Sequence, residues 1–193
     1  MNVFKGTGAD SIPAKVIRTA APYISNVVAN LFNASFQCGR FPSIWKTAKV
    51  TPLFKGGSQT ERDNYRPISI LPCISKVHES FANNDLQRFA ADNGLIRDHQ
   101  LHMLGTCPLQ YTIIAVDSWK FAIDKGEKVG CIFLVLKKAF DVIEHAIFIN
   151  KLSKRVASDN ELEWFKSYLQ GRNEFVSCAS ADSARRLFTH GVP

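Results

Sequence analysis

Apolar positions recur at helical spacing from Ala21 to Gln37, where Ile24, Val27, Val28, Leu31, Phe32 and Phe36 share one face and Gly39 supplies a stop. A shorter helix is predicted over Asp10–Ala20, with Ser11 at its start and Pro13 in its first turn. Lys49–Phe54 is strand-like, and Pro52 suits it to a sheet edge. The polar, glycine-containing stretch Lys55–Asn64 then reads as a hairpin-like loop before Tyr65–Leu71 resumes an extended pattern. A helix follows over Pro72–Asn93, with Ile74, Val77, Phe81 and Phe89 inward and Gly94 ending it. A loop over Leu95–Cys107 leads to a helix over Pro108–Asp124. Lys128–Leu136 is continuously apolar and partly β-branched, which predicts a buried strand. Short helices over Glu144–Ser153 and Asp159–Gln170, the second capped by Asp159 and stopped by Gly171, precede a hairpin of Glu174–Ala179 and Ala184–Thr189. Helices and strands mix without strict alternation, and the fold class expected is α+β.

Composition narrows the setting. Hydrophobic residues make up 46% of the 193 and charged residues 21%, as in ordinary globular domains. No apolar run approaches the ~20 residues of a membrane span, and Met1–Asp10 lacks the apolar core of a signal peptide. An intracellular protein, nuclear or cytoplasmic and not secreted, is expected. The five cysteines are scattered with no CxxC pair, so neither a zinc ribbon nor a disulfide scaffold is indicated. Cys131 and Cys178, in predicted strands, read as small buried hydrophobes.

The net charge is +7, and it is unevenly placed. Residues 1–66 hold nine Lys and Arg (Lys5, Lys15, Arg18, Arg40, Lys46, Lys49, Lys55, Arg62, Arg66) against Asp10, Glu61 and Asp63, which is +6 of the +7. A localised basic excess is the footprint of a polyphosphate partner, or alternatively a solubilising surface. Trp45, Trp119, Trp164 and Phe165 lie beside apolar helical faces, which favours core packing over stacking on bases.

Seven segments in order resemble the reverse transcriptase domain of a non-LTR retrotransposon of the LINE or jockey type. They are KGTGADSIPAKVI (5–17), GRFPSIWKTAKVTPLFKGG (39–57), NYRPISILPCISKVHE (64–79), FLVLKKAFDVIEH (133–145), KLSKRV (151–156), WFKSYLQGRNEFV (164–176) and HGVP (190–193). The resemblance implies a right-hand polymerase fold: a helical extension over 1–48, fingers over 49–127 and a partial palm over 128–193, without the second half of the palm or the thumb. It also implies RNA-directed DNA synthesis, with an RNA template, a DNA primer, dNTPs and two Mg²⁺ ions as partners. Phosphoryl transfer needs metals ~3.5–4 Å apart on carboxylates, and cations on the triphosphate.

By the same resemblance, Lys55 and Arg66, on either side of the polar loop, would hold the triphosphate of an incoming dNTP. Lys138 and Ala139 would bring backbone N–H groups to it. Phe140 would pack against the sugar and exclude a ribose 2′-hydroxyl; its alternative is core packing at a strand end.

Three departures set this chain apart from the family pattern. Where the pattern F-L-D-L-x-K-A-F-D carries its first metal-binding Asp, this chain has Val135, which has no lone pair to offer Mg²⁺. Asp141 lies six residues on, ~20 Å away in extended chain and ~9 Å in a helix, so it is not expected to substitute. The template-contacting element after His99-Gln100 is unrecognisable, and His99, His102 and Cys107 there fit surface or structural roles better than a metal site. The sequence given stops at Gly191-Val192-Pro193, where the family continues with Gln-Gly and a YADD-like hairpin. The expectation is a reverse transcriptase-like fragment with no intact catalytic residue and no bound Mg²⁺. A non-catalytic nucleic-acid-binding remnant, or a decayed element with no selected function, stands as the alternative. An uncovered palm edge would favour self-association.

Overall fold

The computed structural model describes residues 6–96, 108–134, 139–155, 158–178 and 181–192, with backbone alone for 108–111. They fall into two compact units, Met1–Glu79 with Lys138–Pro193, and Ser80–Lys137. In chain order the elements are α1 (Ala14–Gln37), β1 (Thr47–Phe54), β2 (Tyr65–Ile70), α2 (Cys73–Asp92), α3 (Pro108–Asp124), α4 (His145–Ser153), α5 (Asp159–Leu169), β3 (Arg172–Cys178), β4 (Ala181–Asp182) and β5 (Arg186–Phe188). Among the described residues, the mixture of five α-helices with one mixed sheet is α+β.

The sheet runs β2-β1-β3-β4, with β5 also paired to β3. β1 and β2 are antiparallel from Lys49↔Ile70 to Phe54↔Tyr65. β1 and β3 are parallel from Thr47↔Asn173 to Val50↔Val176, and β5 returns antiparallel on β3 with Arg172↔Phe188. The expected edge position of β1 is therefore corrected: over Thr47–Val50 it is an interior strand. Pro52 remains compatible because the β3 ladder has ended before it. Counting back from the Lys55 N–H, which donates to the Asn64 carbonyl at 2.9 Å, Pro52 and Pro67 form a non-hydrogen-bonded pair. Their missing N–H groups thus cost the β1–β2 ladder nothing.

Other boundaries shift for local reasons. The two N-terminal helices are one, running through Pro22. Pro22 and Arg18 are both exposed, so water can replace the bond that Pro22 cannot give to the Arg18 carbonyl. The helix starts at Ala14 because the preceding residues are spent on a turn: the Ser11 N–H donates to the Gly8 carbonyl at 3.1 Å and Ser11 has φ of 56°. The cap of α5 is Ser158, whose hydroxyl accepts from the Glu161 N–H at 3.3 Å, and not Asp159. Gly39, Gly94 and Gly171 end their helices as expected, with φ of 60°, 60° and 64°.

The largest correction concerns 128–134, which holds no strand and is exposed. Ile132, Phe133 and Leu134 are 86%, 79% and 89% exposed. A strand exists only when neighbours satisfy its N–H and C=O groups, and none pairs with this run among the described residues. Cys131 and Cys178 are likewise exposed rather than buried, and Phe81 turns outward from α2.

The core of the first unit is aromatic. Phe32 and Phe36 from α1, Phe41 and Trp45 from the following segment, and Trp164 from α5 converge on His78 of α2, and Tyr168 of α5 stacks on Trp164. His78 stacks on Phe32 at 4.4 Å between ring centres and on Phe41 at 5.5 Å. Trp164 directs its indole N–H to the Ser35 hydroxyl at 3.0 Å, and that hydroxyl donates to the Arg40 carbonyl at 2.6 Å. Core packing was the expected role of Trp45 and Trp164, and both are buried; Trp119 and Phe165 are half-buried. On α1, by contrast, Val27 and Leu31 of the predicted inward face are exposed.

Candidate nucleotide site

The β1–β2 hairpin projects beyond its β3 partner, whose pairing stops at Val50. Leu53 faces Arg66 across the ladder, and Lys55 faces Asn64 one bonded pair further out. Side chains alternate along a strand and directly paired residues share a face. Lys55 and Arg66 therefore stand on one face as diagonal neighbours, a separation of roughly 7–8 Å that one anion can bridge. Both are exposed, and among the described residues neither enters an ion pair.

The loop tip that joins them is tied down. The Asn64 side-chain amide donates to the Ser58 carbonyl at 2.9 Å, and the Tyr65 hydroxyl to the Gln59 carbonyl at 3.0 Å. Gly57, with φ of 93°, lies so close to Asn64 that a Cβ would sit 2.6 Å from the amide nitrogen.

Not every cation of residues 1–66 is free for a partner. Lys46 donates to the Ser167 carbonyl at 2.5 Å and the Gln170 carbonyl at 3.0 Å, closing the C-terminal end of α5. Burial, with nearby Arg172 adding to it, lowers its pKa. Lys15, Arg18, Arg40, Lys55, Arg62 and Arg66 are exposed.

The second part of the predicted site follows residue 138. Ala139 is half-buried and Phe140 is 71% exposed, so Phe140 does not have the core-packing role that was its alternative. Residues 190–192 fold onto this loop. The Gly191 N–H donates to the Ile143 carbonyl at 2.7 Å, and the Val192 N–H to the Phe140 carbonyl at 3.1 Å. The Nε2 atom of His145 lies 2.7 Å from the Gly191 carbonyl; a carbonyl only accepts, so Nε2 carries the proton. Lys138 and Val135 lie outside the described residues, as do His99, His102 and Cys107.

The two-Mg²⁺ site implied by the resemblance does not fit the residues present. Val135, which the resemblance aligns with the first ligand, has no side-chain lone pair to offer, and among the described residues no three His, Cys, Asp or Glu side chains gather to hold a metal ion.

Sequence reasoning missed a buried polar group beside the aromatic core. His78 is fully buried, and neither ring nitrogen has a hydrogen-bond partner among the described residues. Burial lowers its pKa to about 4, which keeps the ring neutral. Arg172, only 2% exposed, donates to the Tyr168 carbonyl at 2.9 Å and lies over the Tyr168 ring at 4.6 Å. Its ion pair with Glu79 is long, 3.9 Å. Burial raises the Glu79 pKa and lowers that of Arg172, outweighing their mutual attraction. Ser75 donates to Glu79 at 2.8 Å and partly opposes the rise. His78 and Arg172 are buried, and Glu79 is partly exposed beside them. The signal for them in the sequence was the SKVHE run (75–79), whose His and Glu sit amid apolar helical positions.

Comparison with known proteins agrees with the family resemblance. The family model for reverse transcriptase (RNA-dependent DNA polymerase) matches residues 54–193. A probable RNA-directed DNA polymerase from transposon X-element of Drosophila melanogaster is 29% identical over 191 residues. The RNA-directed DNA polymerase from mobile element jockey of the same species is 26% identical over 204 residues. Each alignment covers 98% of this chain but 21% of the relative, so the chain spans about a fifth of the length of these proteins. No helix among the described residues is long and apolar enough to cross a membrane. With more than half its length matched by the family model, the chain belongs to the reverse transcriptase family and is related to the non-LTR retrotransposon polymerases of the X-element and jockey type.

Proposed function

We propose that this chain is a reverse-transcriptase fragment that binds the triphosphate of a nucleotide on its β1–β2 hairpin but does not by itself extend a primer. The observation that carries the reading is the shared face of Lys55 and Arg66, two exposed cations without a carboxylate partner among the described residues. An anion there gains two charge-assisted contacts on a loop already held in place. In this reading residues 1–48 form a helical extension, 49–127 the fingers and 128–193 part of a palm. Phe140 faces the nucleotide sugar, and Lys138 and Ala139 lie near the phosphates. RNA template, DNA primer and dNTPs are the partners of the family activity, in a nuclear or cytoplasmic setting. Val135 leaves that chemistry without its first metal ligand.

Titration with a fluorescent deoxynucleoside triphosphate tests the binding. Lys55→Ala and Arg66→Ala should each weaken it about tenfold, the loss of one charge-assisted contact. Undiminished binding in both variants would overturn the assignment. A primer-extension assay with template, dNTPs and Mg²⁺ tests the rest: incorporation above a heat-killed control would refute the inactive reading.

A second reading, a non-catalytic nucleic-acid binder, is favoured by the six exposed cations named above. Its mark is affinity that falls steeply with salt as counterions are released. Absence of binding at low salt would leave the third reading, a decayed element without selected function. The exposed run at 132–134 supports self-association in any of the three.

A further inference from the structure

Phe140 combines two properties that seldom occur together. Its ring is 71% exposed, yet the backbone beside it is pinned from the other end of the unit. The pin is the 190–192 segment, which reaches the loop from β5. Val192 bonds the Phe140 carbonyl, and Gly191 bonds the Ile143 carbonyl. Gly191 is held in turn by the Nε2 of His145, at the first turn of α4. His145 is itself placed by the Phe188 ring of β5, 6.4 Å away between centres.

Only glycine fits at 191. Its φ is 81°, a conformation that L side chains rarely adopt. A Cβ there would lie 2.8 Å from the Asp141 Cα, the Asp141 carbonyl oxygen and the Phe140 carbonyl oxygen. These atoms are backbone and cannot swing aside, so the loop would have to move away. The close approach has a direct consequence: anything that displaces Gly191 also displaces the peptide groups on both sides of Asp141.

We propose that Gly191 and His145 are positioning residues that set the place of the Phe140 ring, and through it the discrimination between a 2′-deoxyribose and a ribose. Neither touches the nucleotide. The inference rests on the reading of Phe140 as the sugar-facing residue. It adds that the 190–192 segment acts as a clasp, which ties an exposed aromatic to the rigid strand β5. An aromatic on an unpinned loop would swing and would not exclude one oxygen atom, because a misplacement of about 1 Å is enough to lose such selectivity.

The test compares binding of a deoxynucleoside triphosphate with that of the matching ribonucleoside triphosphate in the full chain, together with amide hydrogen exchange. The unaltered chain should prefer the deoxy form. Phe140→Ala should abolish the preference for the deoxy form. His145→Leu and Gly191→Ala should reduce the preference, and should speed exchange of the Val192 amide by about tenfold. His145→Gln keeps an N–H donor near the Nε2 position and should restore both. Exchange of the β1 and β3 amides should stay unchanged, which separates a loosened clasp from an unfolded chain. If Phe140→Ala leaves the preference untouched, or the unaltered chain binds no nucleotide, the reading of Phe140 fails and the clasp inference with it. If Phe140→Ala abolishes the preference but His145→Leu and Gly191→Ala do not lower it, the clasp alone is refuted. Refutation of the clasp also follows if His145→Leu lowers the preference and His145→Gln fails to restore it.

Discussion

Two apolar regions of this chain meet opposite fates. In the first unit, five aromatic residues from α1, the segment after it and α5 close on His78, and no ring nitrogen reaches a partner among the described residues. In the second unit, the run from Val129 to Leu134 is more apolar residue for residue, yet it lies open. The difference is not hydrophobicity. The first set comes from separate elements that can close around one another, while the second is a single stretch of extended chain with no strand beside it among the described residues. Burial is a property of an arrangement, and a strand without neighbours gains nothing from being apolar.

The contrast can be broken from the closed side first. Trp164→Ala removes the indole at the centre of the cluster and the donor to Ser35. It should cost about 3–5 kcal/mol of unfolding free energy in urea denaturation, as large-to-small changes in a packed core do. Acid attacks the same place. The His78 pKa lies near 6.5 in the unfolded chain and is lowered to about 4 in the folded one, so the unfolded chain binds more protons between those values. Stability should be complete above pH 6.5 and fall as the pH approaches 4, by on the order of 3 kcal/mol. His78→Phe should flatten that part of the pH profile, and an unchanged profile would show that His78 is not its source.

Two glycines sharpen the comparison at smaller scale. A Cβ on Gly8 would lie 2.6 Å from the Pro72 nitrogen, where the N-terminal turn presses on the chain after β2. Gly8→Ala should cost about 1–3 kcal/mol, the usual penalty for overpacking. Gly130 has nothing within 4 Å of such an atom, and Gly130→Ala should be neutral in the same urea denaturation. The smallest stability effect is expected at Leu134, 89% exposed. Leu134→Asp should change unfolding by less than about 0.5 kcal/mol, while lowering light scattering of concentrated samples. A large loss of stability there would mean that the run is buried after all.

Much of the architecture was legible because it rests on local rules. Spacing placed α2, α4 and α5, and glycines marked where helices end. The polar loop between two extended segments became the β1–β2 hairpin, and that alone put Lys55 and Arg66 on one face. What failed were inferences about which neighbours a strand would have. Pro52 was read as an edge marker because a sequence does not say how far β3 extends along β1. The apolar run at 128–136 was read as buried because pattern alone supplies no partner. Phe140 carried two possible roles, and its exposure removed the core-packing one.

The sequence by itself determined the family, the order of most elements and the cations available to an anion, since motif spacing and residue chemistry are written along the chain. It also determined that the side chain at position 135 is no carboxylate, because valine carries no side-chain lone pair. Only the tertiary structure decided that Lys46 closes the end of α5, that His78 is sealed among rings, and that Gly191 and His145 hold the loop at Phe140. Each of these depends on groups far apart in sequence, brought within a few ångströms by packing that no local pattern encodes.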